Sequence, residues 1–421
     1  MYYRFHRASI LIAWSDDMGN DNAKPQMTPR QRMMCAMRGG TPDRVPVAPD
    51  ISNMVPARRT GKPFWDIYAN ENPPLGRAYI DAARHYGMDG WYIYGGVDFK
   101  VKTPIEQKRE ITKYEDHWVV VNTLKTPAGD MRSVDYMDRG NPPTTTEKLI
   151  KDFKKDFNKL RYLYQPVTGY DASKYLEDKA VVGEDAVMCC GAAPAGLHMF
   201  LGLFDGNMEA LTYAYVDEPE LFAELCEMND AVAMQKLEML LDIKVDSILT
   251  GGSGSLTLQS PEIWRKLSLP GLKKITKACR EAGVISGVHS CGLEREMVIT
   301  CANETDLDYI NPLEIPPMGD CDLKELKNAV GGKICLMGNL HTTEVMLLGD
   351  TDDVRRESLR AMLDAGASGG FVLSTGDQCG RDTPDENIFA MVDTAKTYGK
   401  YPLDTDAVEG ALKKLAKGAP A

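Results

Sequence analysis

Short apolar runs rich in β-branched residues alternate with amphipathic stretches along most of this chain. Runs at 45–49, 90–95, 186–191, 246–250, 284–289, 308–311, 333–337 and 370–374 are separated by segments long enough to hold helices. Such alternation predicts parallel βαβ units, because parallel neighbours need a crossover connection and cannot be joined by a tight hairpin. The intervening stretches carry helix ends. Ser260-Pro261-Glu262 offers a capping hydroxyl before a first-turn proline. Thr383-Pro384-Asp385-Glu386 reads as a first-turn proline within a capping box. The helix it predicts has Ile388, Met391, Val392 and Ala395 on one face and ends at Gly399. Val354, Ala361, Met362 and Ala365 repeat that pattern before Gly366. Eight strands with helices packed outside them predict an α/β fold, a (βα)₈ barrel.

The pattern breaks between about 100 and 180, which is rich in lysine and aspartate. There Thr126-Pro127-Ala128-Gly129 signals a turn and 141–146 a loop. We expect an insertion, part hairpin and part polar helix, on a single-domain barrel spanning 27–402. Residues 1–26 are expected to be a disordered leader, and 403–421 a C-terminal tail or helix.

Composition narrows the function classes. The chain has 421 residues, 43% hydrophobic and 26% charged, enough to bury a large core. Its formal charge of −12, with no basic stripe, argues against nucleic acid as a partner. The apolar stretch 9–14 falls far short of the ~18 residues that span a bilayer, so a cytoplasmic protein without membrane association is expected. Ten cysteines scattered over such a length do not suggest a disulfide scaffold.

Candidate chemistry sits where strands end. In His289-Ser290-Cys291-Gly292, residues i and i+2 of an extended backbone project to one side, so His289 and Cys291 would point together into the barrel mouth. Cys379 lies in the loop after the last strand, before the helix that starts near Thr383. Loops after barrel strands converge on one face, so Cys379 can meet the pair across the intervening sequence. One imidazole and two thiolates suit zinc, with a fourth position open to substrate. The spacing leaves another reading open, because with six histidines and ten cysteines about 0.14 His-x-Cys pairs arise by chance and cysteines are commonly small buried hydrophobes.

Further candidates carry weaker signals. Glu314 ends the 308–313 stretch and could be a fourth ligand or a base, or a plain capping carboxylate. Tyr92, Tyr94 and Asp98 are candidate pocket residues, in competition with ordinary aromatic packing. Asn339 and His341, after the 333–337 run, are candidate substrate contacts. The glycine-rich 251–255 segment lacks the lysine and spacing of a phosphate-binding loop.

The order of these features resembles the uroporphyrinogen decarboxylase superfamily, specifically its methylcobamide:coenzyme M methyltransferases and related corrinoid-dependent O-demethylases. The resemblance is carried by Thr28-Pro29-Arg30-Gln31-Arg32, Thr41-Pro42-Asp43-Arg44-Val45-Pro46-Val47, Ser260-Pro261-Glu262-Ile263-Trp264, His289-x-Cys291-Gly292, Gly338-Asn339-Leu340, and Cys379 before Thr383-Pro384. It runs from about 28 to 400 and implies a TIM barrel with a catalytic zinc on His289, Cys291 and Cys379.

Three departures matter. The decarboxylases' arginine motif, of the form Arg-Gln-Ala-Gly-Arg-Tyr, is replaced by Asp50-Ile51-Ser52-Asn53-Met54. A substrate with many carboxylates needs cations, so this argues against decarboxylation. The acidic residue usual after Gly-Asn-hydrophobe is here His341. Cobalamin-binding signatures of the Asp-x-His-x-x-Gly kind are absent, so a corrinoid would arrive on a separate protein. The resemblance therefore implies zinc-dependent methyl transfer between a small substrate, either a thiol acceptor or a methyl ether or other donor, and a corrinoid's cobalt. The alternatives are a uroporphyrinogen-type decarboxylase or a non-catalytic module that docks a corrinoid protein.

Overall fold

In the computed structural model, residues 26–417 are described. The leader expected over 1–26 lies, but for Gln26, outside them.

Seven parallel strands form one sheet, in the order Gly90–Gly95, Ala186–Gly191, Ser247–Gly251, Ile285–His289, Tyr309–Asn311, Cys335–Leu340 and Phe371–Thr375. The 45–49 run supplies the eighth stave. Val47 bridges Leu373 in parallel, and the Ala48 N–H donates to the Leu373 carbonyl at 2.9 Å. On its other side the Val47 carbonyl accepts from the Asp89 N–H at 2.8 Å, just before the first sheet strand. The expected barrel is therefore present. The run expected at 333–337 is displaced, and its strand continues through Gly338 and Asn339 to Leu340, so that motif is the end of a strand and not a loop.

Two apolar layers follow from the strand period of two. Outward-facing Ala186, Met188, Ile248, Val288, Ile310, Leu336 and Leu373 meet the helices. Inward-facing Trp91, Val187, Cys189, Ile285, Tyr309, Met337 and Val372 fill the interior, and Met33 and Met37 of the helix Pro29–Met37 pack with them. Gly287 makes room for the Tyr309 ring, since a Cβ there would stand 2.0 Å from Tyr309 Cζ.

Helix ends follow the sequence in part. Ser260 Oγ accepts from the Ile263 N–H at 3.3 Å, as its cap signal predicts. The helix Asp385–Tyr398 begins one residue after Pro384 and has no side-chain cap; the Thr383 hydroxyl is buried without a partner, so the predicted capping box does not form. Its apolar face is buried as expected, with Ile388, Met391, Val392 and Ala395 all inaccessible.

Residues 106–147 form a four-stranded antiparallel sheet, Glu106–Lys113, His117–Thr126, Gly129–Asp138 and Thr144–Glu147. The Thr126–Gly129 pair closes the expected turn, with the Thr126 hydroxyl donating to the Gly129 carbonyl. After it come the helix Phe153–Leu163, the strand Val167–Asp171, which pairs with Asp98–Val101, and the helix Ser173–Val182. Trp65 and Trp118 stack at 5.4 Å between centroids, joining this sheet to the helix Phe64–Tyr68. The C-terminal stretch is a helix, Thr405–Lys417. Among the described residues no helix is long and apolar enough to cross a membrane.

Candidate functional site at the mouth of the barrel

His289 is the last residue of its strand and pairs in register with Gly251 on one side and Asn311 on the other. The chain then turns sharply. The Ser290 N–H donates to the Asn311 carbonyl at 2.9 Å, and Gly292 takes φ +94, a conformation L side chains rarely adopt. A Cβ at Gly292 would also stand 2.0 Å from Thr257 Oγ1, so glycine is required on both counts. The turn holds Cys291 beside His289, so the structure brings the predicted i, i+2 pair together.

The third donor differs from expectation. His289, Cys291 and Asp377 each present one ligand atom, and these lie within 4.8 Å of one another. His289 Nδ1 is buried with no hydrogen-bond partner, while Nε2 has only the Ser253 hydroxyl at 3.5 Å. Burial pushes the Cys291 thiol up to about 11, opposed by its hydrogen bond with Ser253 and reinforced by the charges of Asp377 and Glu314. Cys379 shares the loop of Asp377 but not the cluster. Its side chain is inaccessible, its thiol is pushed up to about 12 by burial and the charge of Asp50 against a hydrogen bond with Thr375, and its N–H donates to the Asp50 carbonyl at 2.8 Å.

Glu314 lies behind the claw. Its carboxylate accepts from the Gly292 N–H, and burial, with the charge of Asp377, raises its pKa. Its loop is held by a hydrogen bond from Asn339 Nδ2 to the Leu313 carbonyl at 3.0 Å and from the Cys321 N–H to the Glu314 carbonyl at 3.0 Å. Asn339 thus braces the Glu314 loop and is not among the residues lining the main cavity. His341 caps the helical turn Thr342–Leu347, its Nδ1 accepting from the N–H groups of Thr343 and Glu344 at 3.1 Å, so it acts as a cap here.

In front of the claw opens a cavity of about 700 Å³. Trp91, Ile93, Leu163, Tyr164 and Met199 supply apolar wall, while Asp50, His289 and Asp377 supply polar groups. Among the described residues Lys236 is the single lysine or arginine lining the cavity, and its pKa is lowered by burial. Tyr92 and Tyr94 do not line this cavity. They alternate with Trp91 and Ile93, face outward, and pack their rings on Tyr79 at 6.2 and 5.6 Å. Asp98 is exposed at the start of its strand, opposite Asp171.

Asp50 and Asp377 are the functional candidates that sequence reasoning missed. Both stand in segments it had singled out, one in the place of the arginine motif and the other two residues before Cys379. The two segments are laced together: the Asp50 N–H donates to Thr375 Oγ1 at 2.9 Å and Gln378 Nε2 to Ser52 Oγ at 3.0 Å.

With this geometry in hand, comparison with known proteins is decisive for the family. Residues 126–398, more than half of the chain, match the family described as uroporphyrinogen decarboxylase (URO-D). The chain belongs to the uroporphyrinogen decarboxylase family. A curated relative, the methylcobamide:CoM methyltransferase MtbA of Methanosarcina mazei, is 29% identical over 148 residues, which are 35% of this chain and 40% of that protein. The aligned stretch thus spans less than half of that relative. A solved structure of a methyltransferase from Methanosarcina mazei matches with a TM-score of 0.61, covering 89% of this chain and 99% of that one at 17% identity, a likeness of fold. Within the family's barrel, the claw therefore stands on the face where loops following the strands gather.

Proposed function

We propose that this member of the uroporphyrinogen decarboxylase family is a zinc-dependent methyltransferase that moves a methyl group between a small substrate and the cobalt of a corrinoid carried by a separate protein. The observation that carries the reading is the convergence of His289, Cys291 and an acid from the last barrel loop at the cavity, with His289 Nδ1 buried and unpartnered. An imidazole and a thiolate with a further anionic donor fit zinc, and an unsatisfied buried ring nitrogen fits a ligand role better than packing. His289 and Cys291 would hold the ion, with the third donor from the loop that carries both Asp377 and Cys379; Glu314 stands within reach of the same charges. When bound, zinc supplies either a thiol held as thiolate or Lewis acidity toward an ether oxygen.

The chain's own residues do the rest. Trp91, Ile93, Leu163 and Tyr164 exclude water around the methyl-bearing group, Lys236 gives an anionic end of the substrate its partner, and Gly292 and Ser253 orient the claw. The printed activity of MtbA and the like fold of the Methanosarcina mazei methyltransferase support this reading. A tetrapyrrole with many carboxylates would find one cation in this cavity, which counts against decarboxylation.

The test is metal analysis together with cobalt spectroscopy. Protein purified without added metal should carry about one zinc per chain. Adding a corrinoid protein or cobalamin with a methyl donor should change the cobalt absorption bands. Cys291→Ala should lose both metal and transfer while the barrel still folds. Full activity in metal-free protein, or turnover with no corrinoid present, would overturn the reading.

A further inference from the structure

We infer that Asp377 is the third metal ligand and that the site is a His289–Cys291–Asp377 set with a single thiolate, while Cys379 is a packing residue. The inference rests on the reading that a metal works at this mouth, and departs from the two-thiolate set that the family resemblance implies.

Position argues first. Only Asp377 of the two candidates in the loop joins the cluster within 4.8 Å, and the backbone carries it there at a cost, since Asp377 takes φ +123. The turn is held by the Thr375 hydroxyl, which donates to the Asp377 carbonyl at 2.7 Å. Cys379 is two residues further on, where its N–H is bound by the Asp50 carbonyl, its thiol by Thr375, and its side chain joins the buried cluster between barrel and helices.

Charge argues independently. Asp377 shares the cavity wall with Asp50, while Glu314 accepts from the Gly292 N–H beside Cys291 and Glu294 from the N–H of Leu313 next to Glu314, so a group of acids gathers at this mouth. The hydrogen bonds that three of these carboxylates accept come from neutral donors: the Ser52 N–H and side chain to Asp50, the Leu313 N–H to Glu294 and the Gly292 N–H to Glu314. Among the described residues none of the four carboxylates forms an ion pair with lysine or arginine. Asp50, Glu294 and Glu314 are buried and Asp377 is partly so; carboxylates gathered there without a counter-cation are costly to ionise, and a dication on His289, Cys291 and Asp377 would offset that cost. Exchanging a thiolate for a carboxylate leaves the ligand charge unchanged but hardens the site, which strengthens Lewis acidity toward an oxygen-bearing substrate.

X-ray absorption at the zinc edge reads the ligand set directly. Wild-type protein loaded with zinc should show one sulfur at about 2.3 Å, with the remaining donors at about 2.0–2.2 Å. In the cobalt-substituted protein, the thiolate-to-metal charge-transfer band should survive Cys379→Ser unchanged and vanish in Cys291→Ser. Asp377→Ala should weaken zinc binding by about tenfold or more while keeping that band, and Asp377→Cys should add a second sulfur. Two sulfurs in the wild type, falling to one in Cys379→Ser, would overturn the inference and leave the methyltransferase reading standing. Failure of the wild type to bind zinc or cobalt would overturn both.

Discussion

Gly287→Ala tests how the barrel interior sets the site. An added Cβ would stand 2.0 Å from Cζ, 2.2 Å from Cε1 and 2.5 Å from the hydroxyl of Tyr309, where carbon contacts settle at about 3.5–4.0 Å. The ring cannot yield freely. Tyr309 is inaccessible, lies edge-on to Trp91, and its hydroxyl accepts from Trp91 Nε1 at 3.1 Å with Ser247 Oγ at 3.5 Å and Cys189 Sγ at 3.7 Å. A displacement of about 1.5 Å is needed, which overpacks the layer at about 1–3 kcal/mol and strands the indole N–H at about 1–3 more. The lower entropy of the unfolded alanine chain returns up to about 1 kcal/mol. We expect a net loss of about 1–6 kcal/mol by equilibrium urea denaturation. Gly191→Ala, where nothing lies within 4 Å of the new Cβ, is the matched control and should stay within about 0.5 kcal/mol. Because His289 is two residues along the same strand, metal affinity should fall too. If Gly287→Ala costs as much in a Tyr309→Leu background as in the wild type, the steric argument is wrong.

Cys301→Ala and Cys335→Ala, both at inaccessible positions, should each cost about 1–2 kcal/mol by denaturation and leave zinc content unchanged; metal loss in either would reopen the ligand assignment. Lys236→Met should raise KM for an anionic methyl donor or acceptor by about tenfold and for a neutral analogue by under about twofold; equal effects in steady-state kinetics would remove Lys236 from substrate binding. Burial works against ionisation of Asp43, but hydrogen bonds from Arg32 and the Met27 N–H outweigh it and hold the carboxyl below its usual range. Its stabilisation is thus present above the unfolded-state value and lost as pH falls through the folded one, so Asp43→Asn should destabilise at neutral pH, with the deficit shrinking toward acid. A deficit that grows on acidification would reverse the sign of that argument.

The sequence is legible wherever a pattern has only one structural outcome. Alternating runs and helical stretches predict a parallel sheet covered by helices, eight such runs suit a barrel, and His289-Ser290-Cys291 at a strand end projects its first and third side chains to one side. Gly90-Trp91-Tyr92-Ile93-Tyr94-Gly95 is different, because a barrel strand is buried on both faces and both its parities are apolar or aromatic. Nothing in that run says that Trp91 and Ile93 face the cavity while Tyr92 and Tyr94 face Tyr79; closure of the whole sheet decides it.

The last barrel loop shows the same ambiguity in a sharper form. Thr375, Asp377 and Cys379 share the parity of the outward-facing Leu373, so extension of the strand rule does not separate Asp377 from Cys379 and, by itself, brings neither to the mouth. Chemistry favours the thiol when zinc is expected, and resemblance points the same way. What separates them is tertiary. The Asp50 carbonyl captures the Cys379 N–H and draws that residue into the helix-facing layer, while the turn at φ +123 leaves Asp377 beside His289 and Cys291. The aspartate at position 50 marks the loss of the arginine motif, and its segment also steers the neighbouring loop. The steering comes from the backbone of residue 50, which a sequence motif does not display, whereas the loss of the arginines bears on which substrates the cavity can hold.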